Sequence, residues 1–485
     1  MGCVLLAPSS VDSPKIPLVV DLDGTLLRSD LLVESFAGCL SESPLAAVRA
    51  LFALRRGKEQ MKSILAHAAQ IDPSSLPYDA DVLATIEEAR NQGCPVYLAS
   101  AGHARFVEAV ASHLGLFDGW FASDESINLA GSEKARVLEK EFGKGGFDYI
   151  GNDRADLAVW QSARNRIAIR LSPRVTKLLT AIDADAVILS QGHSNWKSWL
   201  KLLRVHQYVK NVLVFVPLMT SHTFEAHALV MALAAFVSFS LCASAVYVLN
   251  DLIDIQADRT HPSKSKRPLA AGTVPILQAG LVAPLLLVIS FGLAALVLPS
   301  LFVLVLASYL ALTTAYTFSL KRKMLVDVVV LAMLYTVRVI AGGAAVGVDV
   351  SEWLLAFSMF LFTSLALVKR FIELLGCVDA NRPGPANRNY QAGDVNIVAA
   401  LAAASGFNAV TVLALYISSD AVQALYVHPQ WLWLICPIMI YWIARVLLMA
   451  QRRLLDDDPI VFAMKDRNSL VAGLLILLIT AAATF

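Results

Sequence analysis

The sequence predicts a chain of two fold classes: an amino-terminal α/β domain over residues 1–193, then an all-α membrane bundle of nine transmembrane helices over 194–485. Three observations lead there. First, 485 residues that are 57% hydrophobic and only 16% charged, with mean hydropathy +0.60, are too apolar for a soluble protein of two or three domains. Second, the apolarity is uneven: up to about residue 195 the content is that of a globular domain, and beyond it apolar runs of about 20 residues recur. Third, the first part holds short apolar runs that end in Asp or Ser, such as Ile16–Val20 before Asp21 and Val96–Ala99 before Ser100, which read as buried strands. A net charge of +1 argues against a nucleic-acid partner. The cysteines Cys3, Cys39, Cys94, Cys242, Cys377 and Cys436 form no C-x-x-C pair, as expected of packing residues in a reducing compartment. The amino terminus lacks the basic region and long apolar core of a signal peptide, and Leu6 stands where a myristoylation signal needs Ser or Thr. The first domain is therefore expected in the cytosol.

Taking the chain in order, strand Ile16–Val20 runs into Asp21-Leu22-Asp23-Gly24-Thr25-Leu26. An acid at a strand end and another two residues on can serve one site beyond the sheet edge, an arrangement suited to phosphoryl chemistry. Ser100 ends a second strand, Lys134 follows Gly131-Ser132-Glu133, and a third strand leads into Gly151-Asn152-Asp153-Arg154-Ala155-Asp156. D-x-D-G-T-L with these pieces in this order resembles the haloacid dehalogenase-like phosphatases. The resemblance implies a Rossmann-like haloacid dehalogenase fold with a small helical cap. It implies that Asp21 attacks phosphorus, Asp23 acts as acid and base, Ser100 binds phosphate and Lys134 neutralises charge. It also implies Mg²⁺ held by Asp21, Asp23 and either Asp153 or Asp156. The family commonly has Gly-Asp where Gly151-Asn152 stands, so the third ligand stays open, as does an inert domain kept for binding or folding. Residues 30–90 read as the cap, with basic positions Arg49, Arg55, Arg56, Lys58 and Lys62 facing anionic lipid or solvent.

Leu171–His193 supplies a last strand and a connector, and Asn195–Arg204 reads as an amphipathic interfacial segment. Nine spans are expected at about 207–221, 226–250, 276–296, 299–317, 325–346, 353–371, 396–418, 430–449 and 468–485. Lys and Arg gather in the connections after the second, fourth, sixth and eighth spans and are missing from the alternate ones. By the positive-inside rule the basic loops share the cytosolic side of a bacterial inner membrane with the amino-terminal domain. Ionisable groups within spans are costly, which singles out Arg338, with Asp327 and Tyr335 in the same span, and Lys369, Arg370 and Glu373 at the end of the sixth. For these, an ion pair with Asp or a topogenic end charge is the competing reading. Gly342-Gly343 suits close helix approach.

The stretch Asn250–Gly272 organises the second part. Asp251, Asp254 and Asp258 fall on one face of a helix continuing from the preceding span, and three carboxylates there require a cation. Hard oxygen donors suit Mg²⁺, which commonly bridges carboxylates to a diphosphate, and Lys264, Lys266 and Arg267 add charge for the remaining phosphate oxygens. Asn250-Asp251-x-x-Asp254-x-x-x-Asp258 with Lys264 and Lys266-Arg267-Pro268 resembles the first aspartate motif of the UbiA-type prenyltransferase superfamily, over roughly Lys197 to Phe485. The resemblance implies a nine-helix bundle and transfer of the group attached to a Mg²⁺-bound diphosphate. Prenyl-diphosphate users of the superfamily have a second motif, D-x-x-D-D, after the sixth helix; here only Asp379 and Asp394 occur there. With His206–Asn211, Ser244–Tyr247, Val337–Gly343 and Met464–Arg467, the pattern resembles the decaprenyl-phosphate phosphoribosyltransferase branch. That resemblance implies phosphoribosyl pyrophosphate and a polyprenyl phosphate as substrates. Arg267, Arg338, Lys369 and Arg370 are then candidates to grip phosphate, with Lys210, Tyr247 and Asn250 as further contacts. Two alternatives stay open: prenyl transfer to an aromatic or other acceptor, and a non-catalytic scaffold.

Overall fold

The computed structural model describes residues 15–484 except 43, 54–63, 66–70, 124–127, 192–195, 222–224, 262, 386–387 and 456–458. Arg55, Arg56, Lys58 and Lys62 lie outside the described residues, whereas Arg49 is exposed. The chain divides into two compact units, one of residues up to Leu203 with Val248–Val282, the other of Arg204–Tyr247 with Ala283–Phe485. The acidic stretch thus belongs to the same unit as the amino-terminal sheet.

That sheet has six parallel strands in the order β3-β2-β1-β4-β5-β6: β1 Leu18–Asp21, β2 Val96–His103, β3 Gly119–Ser123, β4 Asp148–Gly151, β5 Arg166–Leu171 and β6 Val187–Gln191. Parallel sheets are covered on both faces, and β1 reads accordingly as an unbroken apolar run. Val20 packs with Leu98 and Ile150 on one side, and Val19 packs with Ala99, Tyr149 and Ala168 on the other. The strand order reverses at β1, between β2 and β4, so a crevice opens beyond the carboxyl ends of these strands. Helices Leu31–Glu42, Pro44–Ala53 and Ala80–Asn91 lie between β1 and β2, where the small cap is expected.

The expected single helix through all three motif aspartates is interrupted. Helix Ala226–Ile253 stops at Ile253, Asp254 has non-helical dihedrals (φ −89°, ψ 8°), and a six-residue helix, Ile255–Thr260, follows. The Asn250 side-chain amide donates to Asp254 Oδ2 at 3.2 Å at this break, and the backbone bonds from Asp254 N–H to the Asn250 carbonyl and from Asp258 N–H to the Asp254 carbonyl persist across it.

Among the described residues, eight helices are long and apolar enough to cross a membrane: Ala226–Ile253, Ile276–Val297, Ser300–Phe318, Val326–Val346, Glu352–Asp379, Ala392–Ile417, Pro429–Gln451 and Arg467–Thr484. The chain is a multi-pass membrane protein. The first expected span is instead a 3₁₀ run, Val205–Phe215, leading into a short helix, Val216–Thr220, that starts around Pro217. Before it, Trp196–Leu202 forms a helix with Trp196 and Leu200 exposed, as an interfacial segment requires.

Candidate active sites

In the first unit all four pieces of the amino-terminal signature converge at the carboxyl end of β1. Asp21 is buried, Thr25 Oγ1 donates to its Oδ2 at 2.9 Å, and Lys134 Nζ donates to its Oδ1 at 2.6 Å. Lys134 comes from the first turn of helix Ser132–Phe142 and also stands 3.9 Å from Asp156 Oδ1. Asp23 Oδ2 accepts from Ser100 Oγ at 2.9 Å, and its Oδ1 accepts from the Leu31 N–H at 2.8 Å. Asp156 is occupied in shaping its loop: Tyr149 OH donates to Oδ1 at 2.7 Å, and the N–H groups of Asn152 and Asp153 donate to Oδ2 at 2.9 and 3.0 Å. Asp153 accepts from the Arg154 N–H. Asn152 lies against the acid turn, since a Cβ on Gly24 would sit 2.1 Å from its Nδ2. The sequence reading left the third metal ligand between Asp153 and Asp156; the Asn152 side chain is placed at the turn as well.

Burial pushes the Asp21 carboxyl up to about 7, with Asp156 and Asp23 adding to the rise and Lys134 opposing it. Burial and the charge of Asp30 push Asp23 up to about 6 against the bonds from Leu31 and Ser100. Burial alone would lower the Lys134 ammonium, but Asp21 and Asp156 outweigh it and hold it above its ordinary value. Two buried carboxylates, Asp21 and Asp156, and the half-buried Asp23 thus gather about one ammonium, a deficit of positive charge amid hard oxygen donors that fits a divalent cation. Among the described residues no three His, Cys, Asp or Glu side chains form a ready-made shell.

The site opens into a cleft of about 1100 Å³ whose wall includes Arg28, Arg170 and Thr273. Sequence reading missed these two arginines. Arg170 Nη2 donates to the carbonyls of Gly24 and Thr25 at 2.6 and 2.9 Å, and Asp79 binds both Arg170 and Arg28. Arg170 holds a left-handed backbone (φ 51°) that a non-glycine residue adopts only when its surroundings over-determine it; the clamp on the acid turn does so.

At the second acidic cluster Asp251 and Asp258 are buried, and Arg267 Nη1 lies 3.2 Å from Asp251 Oδ1 and 2.6 Å from Asp258 Oδ2. The structure therefore brings Asp251, Asp258 and Arg267 together, with the guanidinium where two carboxylates need a cation. Asp254 pairs with Asn250 at the break. Lys264 and Lys266 sit on the adjoining 3₁₀ turn, and the Lys266 carbonyl accepts from Lys201 Nζ at 2.9 Å.

In the second unit Arg338 is buried mid-helix. Its Nε donates to Asn211 Oδ1 at 2.9 Å, Nη2 to Tyr309 OH at 3.3 Å and Nη1 to the Leu334 carbonyl. The guanidinium also lies over the rings of Phe239, Tyr309 and Tyr335 at 5.2, 5.1 and 5.4 Å, and Lys210 Nζ lies 5.8 Å from the Tyr335 ring. Two cations predicted from sequence thus flank one tyrosine. Arg338 does not use Asp327, which instead pairs with Arg370 at 3.0 Å and Arg388 at 3.2 Å and accepts from Tyr390 OH at 2.7 Å. Arg370 also binds Glu373, and Lys369 neighbours it on the helix. Tyr247 lies under the Arg204 guanidinium at 4.7 Å. Arg388 was missed from sequence because it stands alone in a loop. A separate apolar cavity of about 920 Å³ in this unit is lined by residues such as Leu354, Phe357, Leu413, Ile435 and Leu477.

Residues 212–465 match the model of the UbiA prenyltransferase family. "Uncharacterized protein y4nM" of Sinorhizobium fredii is 36% identical over 466 residues, which is 95% of this chain and 90% of that one, so the match runs through both parts. "Nodulation protein NoeC" of Azorhizobium caulinodans is 33% identical over 278 residues, 56% of this chain and 89% of its own. The decaprenyl-phosphate phosphoribosyltransferase of Mycobacterium tuberculosis is 42% identical over 180 residues, covering 36% of this chain and 59% of that enzyme. On the family match and the near full-length similarity, the chain belongs to the UbiA prenyltransferase family.

Proposed function

We propose that the protein transfers 5-phosphoribose from phosphoribosyl pyrophosphate to a polyprenyl phosphate of the decaprenyl kind. We propose further that its phosphatase-like domain (1–193), fused to the transferase domain (194–485), removes the 5-phosphate to give polyprenyl-phosphoryl ribose. One observation carries the choice of donor. Where prenyl-diphosphate users need a second acidic motif, Asp379 is paired with Arg453 at 2.7 Å and Asp394 holds the Gln391 N–H at 2.9 Å, while Arg370 and Arg388 gather about Asp327 and Glu373. Neither Asp379 nor Asp394 stands in a D-x-x-D-D set and both are engaged, with Arg370 and Arg388 in the same region of the chain, which favours one metal-bound diphosphate plus a second anionic group. The name of the mycobacterial relative supports the same substrates.

In this reading Asp251, Asp254 and Asp258 hold the Mg²⁺ of the pyrophosphate, and Asp21 and Asp23 with Asp153, Asp156 or Asn152 hold that of the phosphatase site. Bound there, Mg²⁺ neutralises phosphate oxygens as charge develops on the leaving group. Arg267 turns from the two carboxylates to the pyrophosphate oxygens, beside Lys264, Lys266 and Asn250. An oxygen of the lipid phosphate attacks the anomeric carbon, the bond from that carbon to pyrophosphate breaks, and pyrophosphate departs with the electron pair. Lys210, Tyr247, Arg338, Lys369 and Arg370 bind the acceptor phosphate or the 5-phosphate, and the apolar cavity shelters the polyprenyl chain. Val205–Thr220 counts as the first of nine membrane segments, and the basic loops set both sites on the cytosolic face of a bacterial inner membrane. In the second step Asp21 attacks phosphorus to form an aspartyl phosphate, Ser100 and Lys134 hold the phosphate oxygens, and Asp23 protonates the departing ribose oxygen. Asp23 then takes a proton from the water that attacks phosphorus, which breaks the bond to Asp21 and releases phosphate.

Mass spectrometry of lipids after incubation with polyprenyl phosphate, phosphoribosyl pyrophosphate and Mg²⁺ tests both steps. The parent chain should yield the ribosyl lipid, and Asp21→Asn should accumulate its 5-phosphate with transfer intact. Unchanged product from Asp21→Asn refutes the second step. Absence of any sugar-lipid, with labelled prenyl diphosphate consumed instead, replaces the first by prenyl transfer.

A further inference from the structure

One buried ion pair in the first unit has no role in this chemistry. Glu34 lies in helix Leu31–Glu42, one turn after the Leu31 N–H that holds Asp23. Its carboxylate accepts Arg259 Nη1 at 2.8 Å and Nη2 at 2.6 Å, and the two side chains are only 2% and 4% exposed. Arg259 directly follows Asp258, and its Nε donates to the Ala270 carbonyl at 3.1 Å. A second contact lies nearby: a Cβ on Gly272, whose φ is +66°, would sit 2.8 Å from Arg28 Cβ and 3.5 Å from Pro77 Cβ. The segment from Asp258 to Gly272 is therefore moulded on the amino-terminal fold at two points.

The helix that carries Asp258 and Arg259 has six residues, too few to fix its own orientation. Successive residues point about 100° apart around a helix, so Asp258 turns to Arg267 while Arg259 turns to Glu34. Rotation of this helix would move both contacts at once. A fully buried ion pair returns little net stability, so its yield is better read as register, and a fork of two parallel bonds sets register tightly.

We propose that Glu34 is a positioning residue for Asp258 and for the Arg267 link that joins it to Asp251: through Arg259, the first helix of the phosphatase-like fold sets where the Asp258 carboxylate stands opposite Asp251. The inference rests on reading those carboxylates as diphosphate-binding, and it makes diphosphate binding depend on a residue outside the membrane part.

The test titrates pyrophosphate in saturating Mn²⁺ against the full chain in detergent, with Asp21→Asn as background to silence the other cleft. Glu34→Gln, which keeps the shape and removes the charge, should weaken pyrophosphate binding between about tenfold and a hundredfold, the scale of a small misplacement. Arg259→Lys, which keeps the charge and loses the fork, should fall between parent and Glu34→Gln. In transfer assays the same variants should raise the KM for phosphoribosyl pyrophosphate with kcat within about twofold. With Asp21 intact, p-nitrophenyl phosphate hydrolysis by Glu34→Gln should hold, reporting an intact amino-terminal fold. Unchanged pyrophosphate binding overturns the inference, and so does an equal loss of both readouts, which marks a staple for the whole unit. A parent that binds Mn²⁺ and pyrophosphate but makes no ribosyl lipid fails the functional reading, while a graded loss in the variants still upholds the role of Glu34.

Discussion

Lys134 and Arg267 each stand between two buried carboxylates in the same compact unit, and they are held differently. The Lys134 side chain is 6% exposed, reaches Asp21 and Asp156, and donates also to Tyr149 OH at 3.2 Å. The Arg267 side chain is 28% exposed, sits at the end of a one-turn 3₁₀ helix, and serves both Asp251 and Asp258 with one nitrogen. The lysine is thus built into its cluster, and the arginine is a counter-ion that can be replaced. The difference matches the proposed chemistry. A phosphoryl site keeps its ammonium throughout the reaction, whereas a metal-diphosphate site must clear its carboxylates before the metal arrives and then turn the cation on the phosphate.

The largest expected effect separates the two clusters outright. Asp251→Asn should lower ribosyl transfer about 10²–10³-fold, the scale of losing one stabiliser of developing charge, while p-nitrophenyl phosphate hydrolysis stays at the parent rate. A parallel loss of hydrolysis would merge the clusters into one functional site.

Next come the cations themselves. Lys134→Met leaves Asp21 and Asp156 buried without their ammonium and should cost about 3 kcal/mol of unfolding free energy. Arg267→Met removes a cation that is 28% exposed from two buried carboxylates that water reaches from its side, and should cost less, about 1.5 kcal/mol. It should also tighten Mn²⁺ binding in the absence of pyrophosphate, because a competing charge has gone, and weaken binding of the diphosphate. Equal destabilisation by the two substitutions, or weaker Mn²⁺ binding in Arg267→Met, would erase the distinction between a built-in and a replaceable cation.

Much of this was legible in the sequence because its signals are local. D-x-D-G-T-L marks the end of β1 within six residues, and the spacing of Asp251, Asp254 and Asp258 names the second cluster within eight. Apolar runs located the long helices to within about four residues, except that Glu352–Asp379 runs eight residues past its expected end at 371, since hydrophobic length is a property of each run alone. What escaped is decided across the chain. Glu34 and Arg259 lie 225 residues apart, and neither stands in a pattern that announces the other. Arg259 looked like one more basic loop residue. The break at Asp254 leaves no mark on the periodicity, because Asp251, Asp254 and Asp258 keep helical spacing across it. Arg338 was singled out for its place in an apolar span, but its partners Asn211, Tyr309 and Phe239 come from three other elements. The 3₁₀ form of Val205–Phe215 was hidden for a related reason, because an apolar run marks a span without choosing between 3₁₀ and α turns.

The last expected effect concerns the inverse arrangement, an acid between two cations. Asp79 is 2% exposed, accepts from Arg28 Nε at 3.0 Å and from Arg170, and caps helix Ala80–Asn91 through the N–H groups of Asp81 and Val82 at 3.0 and 3.3 Å. Burial alone would raise its carboxyl, but Arg170, Arg28 and the cap outweigh burial and hold it below its ordinary value of 3.8. A carboxyl depressed in the folded state stabilises the fold once ionised, so its contribution is complete above the ordinary value and is lost as pH falls through the lower folded value. Asp79→Asn keeps the size and part of the cap and removes the charge, at an expected cost of about 2 kcal/mol near neutral pH. In denaturant unfolding from about pH 7 to about pH 3, the gap between parent and variant should stay constant to just above 3.8 and then close. A gap that persists into acid would mean that Asp79 acts by packing and capping, and that the Arg170 clamp on the acid turn does not depend on its charge.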